Sequence, residues 1–122
     1  MITGDKIPFV NIETKMKRAL EIISKKNLGT LIVQNNKKET IGIITDGQIR
    51  RSNQKNNSLQ SLSIKKLMTK KPITIDQDTL AERALNIMNT KKITSLCVHK
   101  NNNKLKTIGI IHIHNLLESN IN

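Results

Sequence analysis

Thr40-Ile41-Gly42-Ile43-Ile44-Thr45-Asp46-Gly47-Gln48-Ile49-Arg50 has a twin further along the chain, Thr107-Ile108-Gly109-Ile110-Ile111-His112-Ile113-His114-Asn115-Leu116-Leu117. Each copy opens with a β-branched apolar run too short for a helix, passes through a polar turn and continues as an amphipathic segment. That is the pattern of a buried strand ending at a helix N-terminus. A helix start presents unpaired backbone N–H groups and a partial positive charge, so each copy builds a seat for an anion.

The likeness extends backwards, which makes it an internal repeat. Arg18-Ala19-Leu20 and Arg83-Ala84-Leu85 are 65 positions apart, as are Leu28 to Val33 and Ile93 to Val98. The later twins are 67 apart, so the second copy is expected to carry two extra residues in a polar loop, His99 to Lys106. A surface loop absorbs such an insertion at little cost.

The 122 residues amount to one ordinary domain. Alternatively they are two units of about 55 residues, marginal alone, that share a core. With 36% hydrophobic residues, one Phe and neither Trp nor Tyr, the core must be aliphatic. The net charge of +12 invites a nucleic-acid reading. Against it, 17 of the 21 cations are lysines spread along the chain, and there is almost no aromatic surface for bases to stack on. A solvated basic surface is the expectation. The single Cys97 lies in an apolar strand pattern and is read as a small buried residue of a reduced, cytoplasmic protein. No apolar run approaches the roughly 20 residues of a spanning helix, and no secretory leader is apparent.

Taken in order, Met1 to Pro8 reads as an irregular entry and Phe9 to Asn11 as a short strand. A helix follows over 14–26, with Thr14 as N-cap and Met16, Ala19, Leu20 and Ile23 on one face. Thr30 to Val33 and Ile41 to Ile44 are the two strands of a hairpin, and a helix runs from Asp46 to about Asn53. Lys55 to Leu62 is a polar linker and Ser63 to Met68 a short capped helix. The second unit then has a strand at Ile73 to Ile75 and a helix over 79–91 capped by Asp78 or Thr79, with Leu80, Ala84, Ile87 and Met88 inward. Its hairpin is Thr94 to Val98 with Ile108 to Ile111, and its last helix is Ile113 to Ser119. Each unit is β-α-β-β-α, on a three-stranded sheet.

Two such units in tandem, with Gly-aliphatic-aliphatic-Thr before the last helix and Ile64-Lys65-Lys66-Leu67-Met68-Thr69 before the first strand of the second unit, resemble the cystathionine β-synthase (CBS) domain pair over essentially the whole chain. Thr3 to Pro8, Lys26 to Gly29, Gly42 to Arg51 and Ala84 to Met88 resemble more closely the C-terminal regulatory half of arabinose-5-phosphate isomerases, which feed the pathway to the lipopolysaccharide sugar Kdo. The resemblance implies an α+β fold of tandem CBS repeats, a Bateman-type module with pseudo-two-fold symmetry. Residues 1–57 would be the first repeat, its leading helix truncated, and 58–122 the linker helix and second repeat. The catalytic sugar-isomerase (SIS) domain that precedes the pair in that family has no counterpart here. The expectation is a trimmed domain, or a stand-alone reading frame left by gene splitting.

The resemblance also implies where a ligand would sit. In CBS pairs that bind adenosine-type ligands, the residue at the Thr45 position contacts phosphate or ribose, and an Asp three residues later holds the ribose hydroxyls. A carboxylate can accept both hydrogen bonds of a vicinal diol while helix N–H groups take the phosphate. Here the Asp position is Gln48, and in the second unit the two positions are His112 and Asn115, so adenine nucleotides should bind weakly. The ligand-binding set implied is Gly29, Thr30, Thr45, Asp46, Gln48 and Arg50, with Thr94, Ser95, His112 and Asn115.

The residues themselves leave a plainer reading open. Thr45 and Asp46 can serve only as a helix cap, Gly42 and Gly109 only for close packing, and Arg50 and Arg51 only as solvated charges. His112 and His114, with His99 distant, make a weak metal pair. The acids Asp76, Asp78 and Glu82 belong at a helix start, and no catalytic constellation stands out.

The function expected is a non-catalytic regulatory module that binds a nucleotide or cytidine sugar nucleotide between its repeats, requires no cofactor or metal, and mediates dimerisation. The alternatives are a ligand-free structural dimerisation remnant and, third, a basic nucleic-acid-binding protein. The partners expected are a second copy of the chain, a nucleotide ligand and an SIS domain in cis or in trans, with no membrane and no nucleic acid. Met16, Ile23, Leu80 and Met88 are candidates for the boundary between core and dimer interface.

Overall fold

In the computed structural model, which describes residues 1–55 and 58–114, each repeat builds a small sheet packed against helices. In chain order the strands are β1 (Ile2–Thr3), β2 (Phe9–Asn11), β3 (Thr30–Gln34), β4 (Thr40–Thr45), β5 (Thr69–Lys70), β6 (Thr74–Asp76), β7 (Ser95–Lys100) and β8 (Asn103–His112). The α-helices among the described residues are α1 (Met16–Lys26), α2 (Asp46–Gln54), α3 (Ile64–Leu67) and α4 (Ala81–Lys91). The α+β class and the β-α-β-β succession in both halves match the sequence reading. Of the expected last helix, Ile113 to Ser119, the described residues include only its start, Ile113 and His114, both helical.

One sheet has the order β2-β3-β4-β5 and the other β1-β8-β7-β6. Each therefore has four strands, not the three expected. The fourth is a two-residue strand from the segment that precedes a repeat. β5 pairs antiparallel with β4, placing Lys70 beside Gly42 and Thr69 beside Ile43, and β1 pairs in the same way with β8, Ile2 beside Ile110 and Thr3 beside Gly109. Met1 to Pro8 is thus no irregular entry. The units of packing follow from this pairing: residues 8–72 form one compact unit, and residues 1–7 form the other with the chain from Ile73 onward.

The two cores are built from the same repeat positions. Val10, Ala19, Ile23, Leu31 and Val33 in the first unit recur 65 residues later as Ile75, Ala84, Met88, Leu96 and Val98, all buried. The first core also takes in Leu59 and Ile64. The linker therefore contributes apolar anchors, and the short helix it leads into packs on the first unit. Along β4, burial alternates as the period of a strand requires, with Thr40, Gly42 and Ile44 inward.

The starts of α1 and α4 differ from the sequence reading. The N-cap of α1 is Lys15, with no side-chain cap bond, in place of Thr14. The N-cap of α4 is Leu80, which is 75% exposed and not inward. Asp78 and Thr79 do not cap that helix. Their amides bond to the side chain and carbonyl of Asp76, an Asx turn that delays the helix to Ala81. Asn27, left-handed with φ 55°, closes α1.

The expected loop His99 to Lys106 is mostly strand. β7 and β8 continue to Lys100 and Asn103; the register shift at Val98/His99 repeats the one at Val33/Gln34, and the two extra residues lie beyond it, where a second shift at His99/Lys100 precedes the added Lys100–Asn103 pair. His99 itself is buried, its Nδ1 2.9 Å from the Thr74 hydroxyl. All 17 lysines are exposed, as a solvated basic surface requires. Among the described residues no helix is long and apolar enough to cross a membrane.

Candidate functional site

The first unit brings Gly29, Thr30, Thr45, Asp46 and Gln48 together at one corner, where β3 starts, β4 ends and α2 begins. Thr30 faces Thr45 across the β3–β4 ladder. Its buried hydroxyl donates to the Ile44 carbonyl at 3.3 Å. The Asp46 amide donates to the Gly29 carbonyl at 2.9 Å, which fixes the turn from strand into helix. Gly29 has φ +71°, and a Cβ there would stand 3.1 Å from the Asp46 carboxylate, so backbone freedom and space both call for glycine.

Thr45 is the N-cap of α2 and forms a reciprocal capping box with Gln48. The Gln48 amide donates to Thr45 Oγ1 at 3.4 Å, and the Thr45 amide and hydroxyl reach Gln48 Oε1 at 2.9 and 3.2 Å. The other end of the carboxamide is also engaged. Gln48 Nε2 donates to the Leu67 carbonyl and the Thr69 hydroxyl, both at 3.0 Å. Arg50, expected at the anion seat, is exposed. Its neighbour Arg51 folds back, so that a Cβ on Gly47 would lie 3.1 Å from a guanidinium nitrogen. A glycine four residues before an arginine on a helix was the available signal for this.

The second unit repeats the corner with different chemistry. The Ile113 amide donates to the Thr94 carbonyl at 2.8 Å, the counterpart of the Asp46–Gly29 bond, and Ser95 faces His112 as Thr30 faces Thr45. His112 takes the capping place, its Nδ1 accepting from the His114 amide at 3.2 Å, and the two rings stack at 4.7 Å with planes 20° apart. Burial, and then the nearby His114, push the His112 pKa below its ordinary value. An acceptor nitrogen at a helix start is best kept unprotonated, in agreement with that direction. Asn115, at the Gln48 position, lies outside the described residues.

Among the described residues no cluster of His, Cys, Asp or Glu could hold a metal ion. An open groove of about 560 Å³ lies on the first unit between residues 12–17 and 61–64, and none of the expected ligand residues lines it. Met16, Ile23 and Met88 are buried in their own units, which leaves Leu80 alone of the four proposed interface positions exposed.

A family model for the CBS domain matches residues 1–54 and 64–121. Two curated relatives are similar over 121 residues: Uncharacterized protein RP505 of Rickettsia prowazekii at 39% identity, and Arabinose 5-phosphate isomerase KdsD of Salmonella typhi at 36%. Each match takes in 99% of this chain and 36% of the relative, so the chain spans little more than a third of their length. Among solved structures, CBSX2 in complex with AMP superposes with a TM-score of 0.83 at 22% identity, covering 99% of this chain and 92% of that one. Likeness at that identity speaks for the fold. With the family matched over both repeats and the fold shared, this chain belongs to the CBS domain family and carries the domain twice.

Proposed function

We propose that the chain is a non-catalytic regulatory module of an arabinose-5-phosphate-isomerase-like protein, that it takes a nucleotide or sugar nucleotide at its strand-to-helix corners, and that it self-associates in the cytoplasm. The observation that carries this is the twinned corner: in both repeats a strand hands over to a helix start through the same backbone bond, with a capping acceptor beside it. Helix N–H groups suit a phosphate. The AMP bound to CBSX2 supports a nucleotide as the ligand class. The similarity to KdsD supports the parent activity.

Neither corner offers a carboxylate at the ribose position, and Gln48 is already engaged. Adenine nucleotides therefore bind weakly and an anionic cytidine sugar nucleotide binds better. Calorimetry with AMP, ATP and the cytidine nucleotide of Kdo tests the ranking. Micromolar AMP or ATP binding with the cytidine compound inert would reverse it. The pure chain is expected not to interconvert ribulose 5-phosphate and arabinose 5-phosphate, and measurable turnover would end the non-catalytic reading.

Self-association is supported by Leu80, an apolar side chain held out from α4. Burial of an interface of roughly 1,600 Å² outweighs repulsion between solvated lysines. Light scattering at physiological salt should report twice the 13.8 kDa chain mass, falling to the monomer mass in Leu80→Glu; a wild-type monomer would refute it.

A further inference from the structure

A carboxamide has two acceptor lone pairs and two donor hydrogens. At Gln48 all four are in use: the oxygen takes the Thr45 amide and hydroxyl, and the nitrogen serves the Leu67 carbonyl and Thr69 hydroxyl. The first pair caps α2. The second pair reaches 19 and 21 residues along the chain, to the end of α3 and the start of β5. That segment has few other polar holds on the rest of the first unit. β5 pairs with β4 over two residues only, and Thr69 and Lys70 are exposed. Its apolar anchors are Ile64, buried in the first core, and Leu67 and Met68, which pack against that core, Met68 lying against Gly42. Immediately beyond it, at Ile73, the chain enters the other compact unit.

We propose that Gln48 is a latch: its carboxamide docks the Leu67–Lys70 end of the 63–70 strap onto the first unit, and that end loosens whenever the amide is lost to another partner. Capping and strapping use opposite ends of one side chain, so the start of α2 and the segment leading to the second unit are held by the same group. A ligand hydroxyl seeking the amide nitrogen finds no free hydrogen there and can bind only in place of Leu67 or Thr69. Each hydrogen given to a ligand is one taken from the strap. The latch itself needs no ligand, so it stands or falls apart from the nucleotide reading.

Gln48→Glu separates the two ends. Glutamate keeps an oxygen for the capping box and suits a helix start, but it has no hydrogen for the Leu67 carbonyl and can hold Thr69 only by accepting from its hydroxyl. Amide hydrogen exchange of the ligand-free chain reads the result. In Gln48→Glu the Met68 to Lys70 amides should exchange roughly ten- to a hundredfold faster, while α2 and the β3–β4 ladder keep wild-type protection. Thr69→Val removes one of the two strap bonds without touching the cap and should give a smaller rise at the same amides. Unchanged strap exchange in both variants would overturn the latch, as would a rise that merely follows α2 and the β3–β4 ladder, which a purely structural cap would produce.

Discussion

Met68 lies directly against Gly42: a Cβ on that glycine would fall 2.9 Å from Met68 Cγ and 3.1 Å from the Thr69 carbonyl oxygen. Gly109 stands to Met1 in the same relation, with Met1 Cγ 2.8 Å from its would-be Cβ. In both repeats the glycine of the buried strand is the floor on which a short edge strand and its methionine rest.

Gly42→Ala should therefore destabilise the chain by about 1–3 kcal/mol, the usual cost of overpacking. Met68→Ala in the same chain should restore part of the loss by clearing the flexible partner, while the backbone oxygen keeps the rest. Urea unfolding of the single and double variants measures both, and an unaffected single variant would show that the strap gives way freely.

Thr45→Ala removes the hydroxyl acceptor of the α2 capping box and should cost about 1 kcal/mol, with Thr45→Ser close to wild type. Equal losses for Ala and Ser in urea unfolding would mean that the methyl group, not the cap, is what matters.

Burial pushes the Cys97 thiol up from 9.0 to about 11, against the lowering effect of its bond with Thr107. In the unfolded chain the thiol ionises first, so its contribution to stability is full below pH 9 and is lost as pH rises from 9 to 11. A shift of that size corresponds to roughly 2–3 kcal/mol. Unfolding free energy measured across that range should fall less steeply in Cys97→Ala than in the wild type.

His112 behaves in the opposite sense. Its pKa is lowered in the fold, first by desolvation and then by His114, so the unfolded chain takes up the proton more readily. The stabilisation is present above pH 6.5 and is lost as pH falls through the folded value. An NMR titration of the ring should place His112 below 6.5, and His114→Ala should move it part of the way back; a His112 titrating at or above 6.5 would contradict the geometry of the second corner.

The repeat, the α+β class, both hairpins and the capped start of α2 were legible in the chain itself, because each is written in local periodicity. Val10, Ala19, Ile23, Leu31 and Val33 share one offset with Ile75, Ala84, Met88, Leu96 and Val98, and side chains of one period face one core. The corner residues Gly29, Thr30, Thr45, Asp46 and Gln48 were grouped by the resemblance to CBS pairs, and a strand pair and the helix after it hold them close.

What the sequence could not carry are contacts without a period. β1 and β5 are two residues each, too short for alternation to show, and their partners lie far along the chain. Leu80 fits a helical stripe by spacing, yet the Asx turn at Asp76 delays the helix to Ala81 and leaves that side chain in solvent. Gln48 was readable as the position three residues after a cap. Only the tertiary fold, by bringing Leu67 and Thr69 to its amide, decided that the side chain spends its hydrogens on the strap, because hydrogen-bond partners are set by proximity in space and not by order along the chain.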